Sequence, residues 1–522
     1  MSNAPIVVTS LADTLTPGTL RSAIQQANSQ PGGNEIDLKA SGTYALSMGS
    51  LSITPGGDDL LITNTSGGGV AIDGGKTDRV FDINSGAGSS GFSVEIDGVT
   101  IQNGNANSAD PTLGSGGGIR VQGVVVLTLS NDTLLSNQAG ANGGGLAVVN
   151  SPFSSVTVNS SQFLKNVAAG VGGGAETEPG QASIDGFTNV LFQNDSATSG
   201  GAIEDPGSSV LNLTRDTFDG NRALGSASAP NAGNGGAVDV TNPTAVTGPI
   251  NVQILYSLFT NNSAFSGVSP VVAGTGNGGA INNAAGNLNL NYSQFVNDQA
   301  AGGGGGIFSP GLQLTVQGST FTANQSGASL GVNSPNTVPE SGGAIYAAGT
   351  GTNAAGDGSS VYNTTFTQNK ATGNGGAVFD AGPGDLALVN DTIGAEPASN
   401  ANTAGQYGGG LAMLGGANPG TLNVVDTILY NNTAATGGPD VATLNGSSVT
   451  DSVGNLVKTL SGSNGFAANT LTSDPLLGPL ADYGGSMAGV NPPLNAAAYS
   501  QPILTEALTA KSPAINAGVA SS

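Results

Sequence analysis

The sequence of 522 residues has no cysteine, no histidine and no tryptophan, and only 9% of its residues are charged. Without cysteine there are no disulfides, no thiolate zinc ligands and no thiol nucleophile. Without histidine, general acid–base chemistry falls to carboxylates or to one of the 11 lysines and arginines. Those few cations stand against 34 acidic residues, a net charge of −23 that repels nucleic acid phosphates and anionic lipid. No apolar run approaches the roughly 20 residues that span a bilayer. The opening MSNAPIVV lacks the basic and apolar regions of a signal peptide. P-loop, GxSxG, HExxH and EF-hand patterns are also missing.

Glycine is abundant instead, at 86 residues, and it recurs in a fixed context. A Phe followed three places later by Asn or Asp appears at Phe163, Phe192, Phe218, Phe259, Phe295, Phe321 and Phe366, with weaker members at Leu134 and Leu429. After nearly every copy comes GG with a small or apolar pair: GGGL at 143, GGGA at 172, GGAI at 200, GGAV at 235, GGAI at 278, GGGI at 304, GGAI at 342, GGAV at 375 and GGGL at 408. The shortest cycle is about 26 residues, and longer ones read as loops added to a fixed unit.

Alternating segments such as Val156-Thr-Val-Asn and Leu288-Asn-Leu-Asn have the period of short strands, and the glycine content nearly excludes helix. Short strands recurring in so small a unit predict a coil of about three strands per turn, a parallel β-helix. In that coil each Phe points inward and stacks on its copy one rung away, roughly 4.8 Å along the axis. The Asn is expected at a corner, in left-handed backbone, with its amide paired to the next rung. Gly-Gly supplies a turn no side chain can share. Thr19 to Asn28 is the one clear amphipathic helix, with Thr19 as N-cap and Leu20, Ala23, Ile24 and Ala27 on one face. It would cover the open edge of the first coil. The expected organisation is a cap over residues 1–45, a β-helix over 46–473 and a cover segment over 474–522.

The paired motifs FxxN and GG[AGL][ILV], over roughly residues 116–440, resemble the repeats of chlamydial polymorphic outer membrane proteins, autotransporter adhesins with a β-helical passenger. VTSLADTLTPGTLRSAIQQAN at 8–28, DPLLGPLADYGG at 474–485 and KSPAINAG at 511–518 are similar to the ends of large secreted bacterial β-helix proteins with a choice-of-anchor region. The resemblance implies an all-β, right-handed, pectate-lyase-like solenoid, secreted or on the cell surface. It assigns no reaction.

If the Gly-Gly signals are in register, one outward column runs Arg120, Ala147, Glu176, Glu204, Asp239, Asn282, Phe308, Tyr346, Phe379 and Ala412. Glu176, Glu204 and Asp239 would then lie about a rung apart, close enough for a Ca²⁺ site or for paired-carboxylate glycoside hydrolysis. The plainer expectation is a solvated charged surface. Phe308, Tyr346 and Phe379 would form an exposed aromatic strip for sugar rings or a partner's apolar surface, unless the insertions at 325–341 and 347–360 cover them.

The leading expectation is a non-enzymatic surface or secreted stalk or adhesin that binds a glycan or a cell-surface protein. A carbohydrate-active enzyme is the alternative, since right-handed β-helices also house pectate lyases and polygalacturonases. Lyases acting on anionic glycans use basic residues, which this chain lacks, so a neutral-glycan hydrolase is the form left open. A self-assembling fibre is the third reading, against which the N-terminal helix argues.

Overall fold

The computed structural model describes residues 3–54, 58–86, 91–151, 154–177, 184–207, 210–226, 232–241, 250–266, 275–310, 313–328, 340–348, 358–382, 385–415, 421–490 and 500–518. The chain divides into two compact units, residues 1–222 with 241–250 and residues 223–240 with 251–522. Each is a right-handed parallel β-helix.

One coil of the first unit shows the pattern. The strands are Val125–Ser130, Thr133–Leu135, Gln138–Ala139 and Leu146–Val149. Each pairs in parallel with its copy in the next coil, Leu127 with Val156, Leu134 with Phe163, Ala139 with Ala168 and Leu146 with Ala175. Stacked copies form four sheets, numbered first to fourth in the order the chain visits them. The coil thus has four strands rather than the expected three. The unforeseen one, in the third sheet, is only two residues long and too short to show alternation.

The second sheet carries the Phe column inside. In the first unit Phe163, Phe192 and Phe218 stack at 4.7 and 5.0 Å between ring centres. In the second, Phe259, Phe295 and Phe321 stack at 4.6 Å per step and Phe366 follows at 5.0 Å. All seven rings are fully buried.

The motif Asn is buried as well and its amide pairs from coil to coil as expected, but the backbone bend differs from the one expected. The left-handed residue is the one before it: Lys165 has φ +56° and precedes Asn166, and Ala323 has φ +58° and precedes Asn324. Bending at that preceding residue turns the Asn side chain inward, where it bonds from coil to coil. Asn166 Nδ2 donates to Leu134 O and to Asp195 Oδ1, both at 3.0 Å. In the second unit Asn324 Nδ2 donates to Asn369 Oδ1 at 3.0 Å, Asn369 to Asn402 Oδ1 at 2.9 Å and Asn402 to Asn432 Oδ1 at 2.9 Å. A second ladder stands at the corner between first and second sheets. There Asp132 Oδ1 accepts from Val99 N at 2.9 Å and Ser161 Oγ from Asp132 N at 3.0 Å, and in the second unit Asp391 Oδ1 accepts from Thr364 N at 2.8 Å. These ladders satisfy corner backbone groups that burial would otherwise leave unpaired.

The Gly-Gly turn behaves as its sequence implies. Gly304 sits at φ +66°, and a Cβ on Gly305 would come within 2.1 Å of Gly343 O in the next coil. No side chain fits there.

Leu20–Ser29 is helical, with Ser22 N donating to the Thr19 hydroxyl at 3.4 Å and Leu20, Ala23, Ile24 and Ala27 buried. It packs on Ile6–Val8, Asn34–Leu38 and Leu51–Ile53 at the open edge of the first coil. At the other end, residues 459–472 bond to the last coil: Thr443 N donates to Gly462 O at 3.1 Å, Val449 N to Asn464 O at 2.9 Å and Val457 N to Leu471 O at 2.8 Å, while Leu477 and Ala514 pack beside Leu456. Residues from 474 turn back as an arm along the second sheet. The arm pairs with itself in antiparallel fashion, Leu477–Ala481 with Thr505–Leu508 and Met487–Gly489 with Ser500–Pro502. Gly489 N reaches Tyr256 O at 2.7 Å and the Thr320 hydroxyl reaches Leu504 O at 2.7 Å. Prolines at 475, 479 and 502 lack the N–H a further parallel rung requires, which suits this stretch to a lateral arm.

Candidate functional site

The lengths of the connections single out one face. Every connection from a first-sheet strand to the second-sheet strand after Ser130, Asn159, Thr188, Thr214, Leu255, Asn291, Gln317, Tyr362, Val389, Val425 and Val453 is two residues. From second to third sheet the length is again two, except after Gly394. Connections from third to fourth sheet run from five residues, between Ala197 and Ile203, to eighteen, between Ser326 and Ile345. Those from fourth back to first run from two, between Gln122 and Val125, to eleven, between Ala347 and Ser359. Apart from the eight residues between Gly394 and Thr403 and the five between Asn64 and Val70, the large length variation borders the fourth sheet.

The outward residues of that sheet form the column read from the sequence. In the first unit Arg120 is in register with Ala147, Ala147 with Glu176 and Glu176 with Glu204. Asp82 precedes Arg120 and was missed, because no Gly-Gly signal marks its strand. Arg120 forks onto it, Nε to Oδ1 at 3.0 Å and Nη2 to Oδ2 at 2.7 Å. Asn142 Nδ2 donates to Glu176 Oε1 at 2.7 Å, and the Thr241 hydroxyl donates to Glu204 Oε1 at 3.1 Å. In the second unit Asp239 is in register with Asn282, Asn282 with Phe308, Phe308 with Tyr346 and Tyr346 with Phe379.

These side chains point away from the coil axis, yet they are not the solvated surface expected. Glu176 is 9% exposed, Glu204 4% and Asp239 2%. Part of the reason is local: Glu204 and Phe308 fold back over the glycine turns that precede their strands. A Cβ on Gly200 would lie 2.9 Å from Glu204 Oε2, and one on Gly303 would lie 3.2 Å from both the Phe308 and Tyr346 rings. Burial raises Asp239 to about 6, partly offset by the 2.6 Å bond from Asn282. Desolvation is the largest cause.

The aromatic residues do come together: Phe308 and Tyr346 are 4.6 Å apart between ring centres, and Tyr346 and Phe379 are 5.2 Å apart. They are not a freely exposed strip, since Phe379 is buried against Ala412 and Ala442 and Tyr346 is half-buried against the same group. The insertions invoked as their cover lie largely outside the described residues. Two carboxyls beside this cluster escaped sequence reading. Burial raises Glu340 to about 7, and burial with Asp385 raises Asp380 to about 7; both in turn raise Tyr346 beyond what its own burial does. Neither belongs to the repeat, so no spacing signalled them.

Among the described residues no group of three or more acidic side chains is gathered closely enough to hold a metal ion, and no helix is long and apolar enough to cross a membrane. No protein-family model and no curated protein sequence matches the chain. Among solved structures, the chain is similar to the catalytic domain of a GH87 alpha-1,3-glucanase, the D1069A variant in complex with tetrasaccharides. The identity is 12% and the TM-score 0.30, over 85% of this chain and 68% of that one.

Proposed function

We propose that the protein is a non-enzymatic, secreted or cell-surface β-solenoid that binds a glycan or a protein through its fourth-sheet face. The observation that supports this reading is the concentration of length variation at the two corners bordering that sheet. A scaffold whose other corners mostly hold two residues can vary its loops there without losing register. On that face the partly exposed rings of Phe308 and Tyr346 in the second unit offer an apolar contact that the core does not use. The repeat motifs themselves, Phe, Asn and Gly-Gly, are consumed by internal stacks, ladders and turns, which leaves them no part in chemistry.

The enzymatic alternative is favoured by one observation, that Asp239 titrates near neutrality at about 6 within the same column. A glycan array with the intact chain separates the two. Binding without release of reducing ends supports the binding scaffold, and binding lost on Tyr346→Ala places it on this face. Release of reducing ends, lost on Asp239→Asn, establishes the hydrolase and overturns the proposal.

A further inference from the structure

The exception among the two-residue turns from second to third sheet is residues 395–402, which carry Glu396 and a short 3₁₀ turn at Ala398–Asn400. This insertion meets the C-terminal arm. Between them lies a cavity of about 480 Å³ lined by Glu396, Asp474, Leu476, Leu477, Thr509, Ala510 and Lys511, a volume within the usual range for small-molecule sites of about 300–1,000 Å³.

The polar side of the cavity is fixed in place. The Tyr430 hydroxyl donates to Glu396 Oε2, and Asn431 Nδ2 donates to the same oxygen at 3.3 Å. Glu396 N donates to Glu506 Oε1 at 3.3 Å. Glu506 is 7% exposed and its other oxygen, Oε2, has no hydrogen-bond partner. The apolar side is Leu476, Leu477 and Ala510, with Leu477 packed on Ile428, Tyr430 and Leu456. Two cations stand nearby: Lys511 on the lining, and Lys458, which is 5.6 Å from the Tyr430 ring centre and donates to Asn431 Oδ1 at 2.6 Å.

From the fixed Glu396 carboxylate, backed by the buried Glu506 carboxyl that accepts from Glu396 N, and the apolar wall beside it, we propose that this cavity binds a small aliphatic primary amine, its ammonium on Glu396 and its stem along Leu476 and Leu477. Glu396 Oε2 already accepts two donors, which leaves Oε1 for the ligand. An ammonium brings three donors and one positive charge on a compact head, which suits a carboxylate beside hydrocarbon, with Asp474 also on the lining. A metal ion is the poorer occupant, since no three acidic side chains converge here. Burial and the Glu396 carboxylate raise Glu506 to about 7. An ammonium placed beside it favours the ionised form, so binding tightens as the pH rises from 6 to 8 and Glu506 releases its proton.

The test is calorimetry on the intact chain with n-pentylamine, with pentan-1-ol and pentanoate as neutral and anionic controls of equal stem length. Saturable binding of pentylamine is expected, at least tenfold tighter than either control and tighter at pH 8 than at pH 6. Glu396→Gln should weaken it at least tenfold, and Glu506→Gln should flatten the pH dependence. Ala510→Trp fills the cavity from an exposed position without touching the carboxylates, and should block binding even if the Glu396 variant fails to fold. No saturable binding of pentylamine, undiminished binding by Ala510→Trp, or tighter binding of pentanoate, which would assign the cavity to Lys511, overturns the proposal.

Discussion

Asp195 occupies a ladder position that its neighbours fill with asparagine, and replacing it by asparagine should make the protein more stable. Its Oδ1 is well served, accepting from Asn166 N at 2.6 Å and Asn166 Nδ2 at 3.0 Å, while Asp195 N donates to Asn221 Oδ1 at 3.0 Å. The other oxygen is the misfit. Where Asn166 and Asn221 donate their second amide proton to Leu134 O and Phe192 O, at 3.0 and 3.1 Å, Asp195 has Oδ2, which is buried and has no partner. Burial drives its pKa well above the carboxylate range, only partly opposed by the bonds from Asn166. The folded state therefore keeps its proton to a higher pH than the unfolded chain, whose Asp pKa is near about 3.9. The folded pKa is the raised one, so the stability this group contributes is complete below about pH 3.9 and is lost as the pH rises towards the folded value. The loss runs at up to about 1.4 kcal/mol per pH unit.

Asp195→Asn removes that dependence and restores the missing donor. It should match the wild type to within about 1 kcal/mol at pH 4 and exceed it by about 1–3 kcal/mol at pH 7. Urea unfolding from pH 4 to 8 measures the difference. Buried Asp132 and Asp391, also raised by burial, remain in both proteins and drop out of it. Because stacked coils can open locally, hydrogen exchange at the amides of Asn166 and Asp195 gives a second reading at the site itself. Parallel pH curves for the two proteins, or a less stable variant at pH 7, would refute the account of a ladder position kept by a proton.

Two further outcomes are expected. Phe321→Ala deletes a fully buried ring stacked on Phe295 at 4.6 Å and on Phe366 at 5.0 Å, and should cost about 3–5 kcal/mol in chemical denaturation; a change near zero would mean the stack does not hold the coils. Calcium titration by calorimetry should give no heat with either the wild type or Glu204→Gln, because Glu176 and Glu204 supply two carboxylates already engaged by Asn142 and Thr241, against the six to eight oxygens that Ca²⁺ takes. Heat that the substitution abolishes would establish a Ca²⁺ site.

The repeat was legible because its physics is local and recurs. A Phe that must stack and a Gly-Gly that must turn leave the same letters in every coil, and so they located the fold and the register of the fourth-sheet column, while the apolar face of Leu20, Ala23, Ile24 and Ala27 located the N-terminal helix. What stayed hidden depended on contacts without a period. Residue exposure in the column could not be read, because it follows from Glu204 and Phe308 lying back over glycines whose small size has two uses, the turn and the room above it. The left-handed positions were misassigned by one residue for a related reason. They are held by Lys165, Ala323 and Gln368 as readily as by Asn, so the ladder that fixes the next residue, rather than intrinsic preference, sets the backbone there. Glu396 and Glu506 are 110 residues apart in sequence and meet only because the arm doubles back.

The insertion at 395–402 shows what the coil cannot give up. Elsewhere the turn from second to third sheet is one left-handed residue followed by the ladder Asn, as in Gln368 and Asn369, and any added residue would push that Asn out of line. Here the extra residues all enter before Asn402, which still accepts from Asn369 Nδ2 and donates to Asn432 Oδ1, both at 2.9 Å. The backbone carbonyl of Asn400 takes the place of the tight turn by accepting from Gln368 N at 2.8 Å. The ladder, and not the length of the turn, is thus the invariant. At the corner entering the fourth sheet the ladder sits on the residue just ahead of the Gly-Gly entry, where Asn142 Oδ1 accepts from Val171 N at 3.1 Å, Asn277 Oδ1 from Gly303 N at 2.9 Å and Asn374 Oδ1 from Tyr407 N at 3.2 Å. Residues can be added upstream of that Asn or downstream of the strand without disturbing a hydrogen-bonded column. The same constraint that holds the solenoid together therefore directs its variable loops to one face, and makes that face the place to look for a ligand.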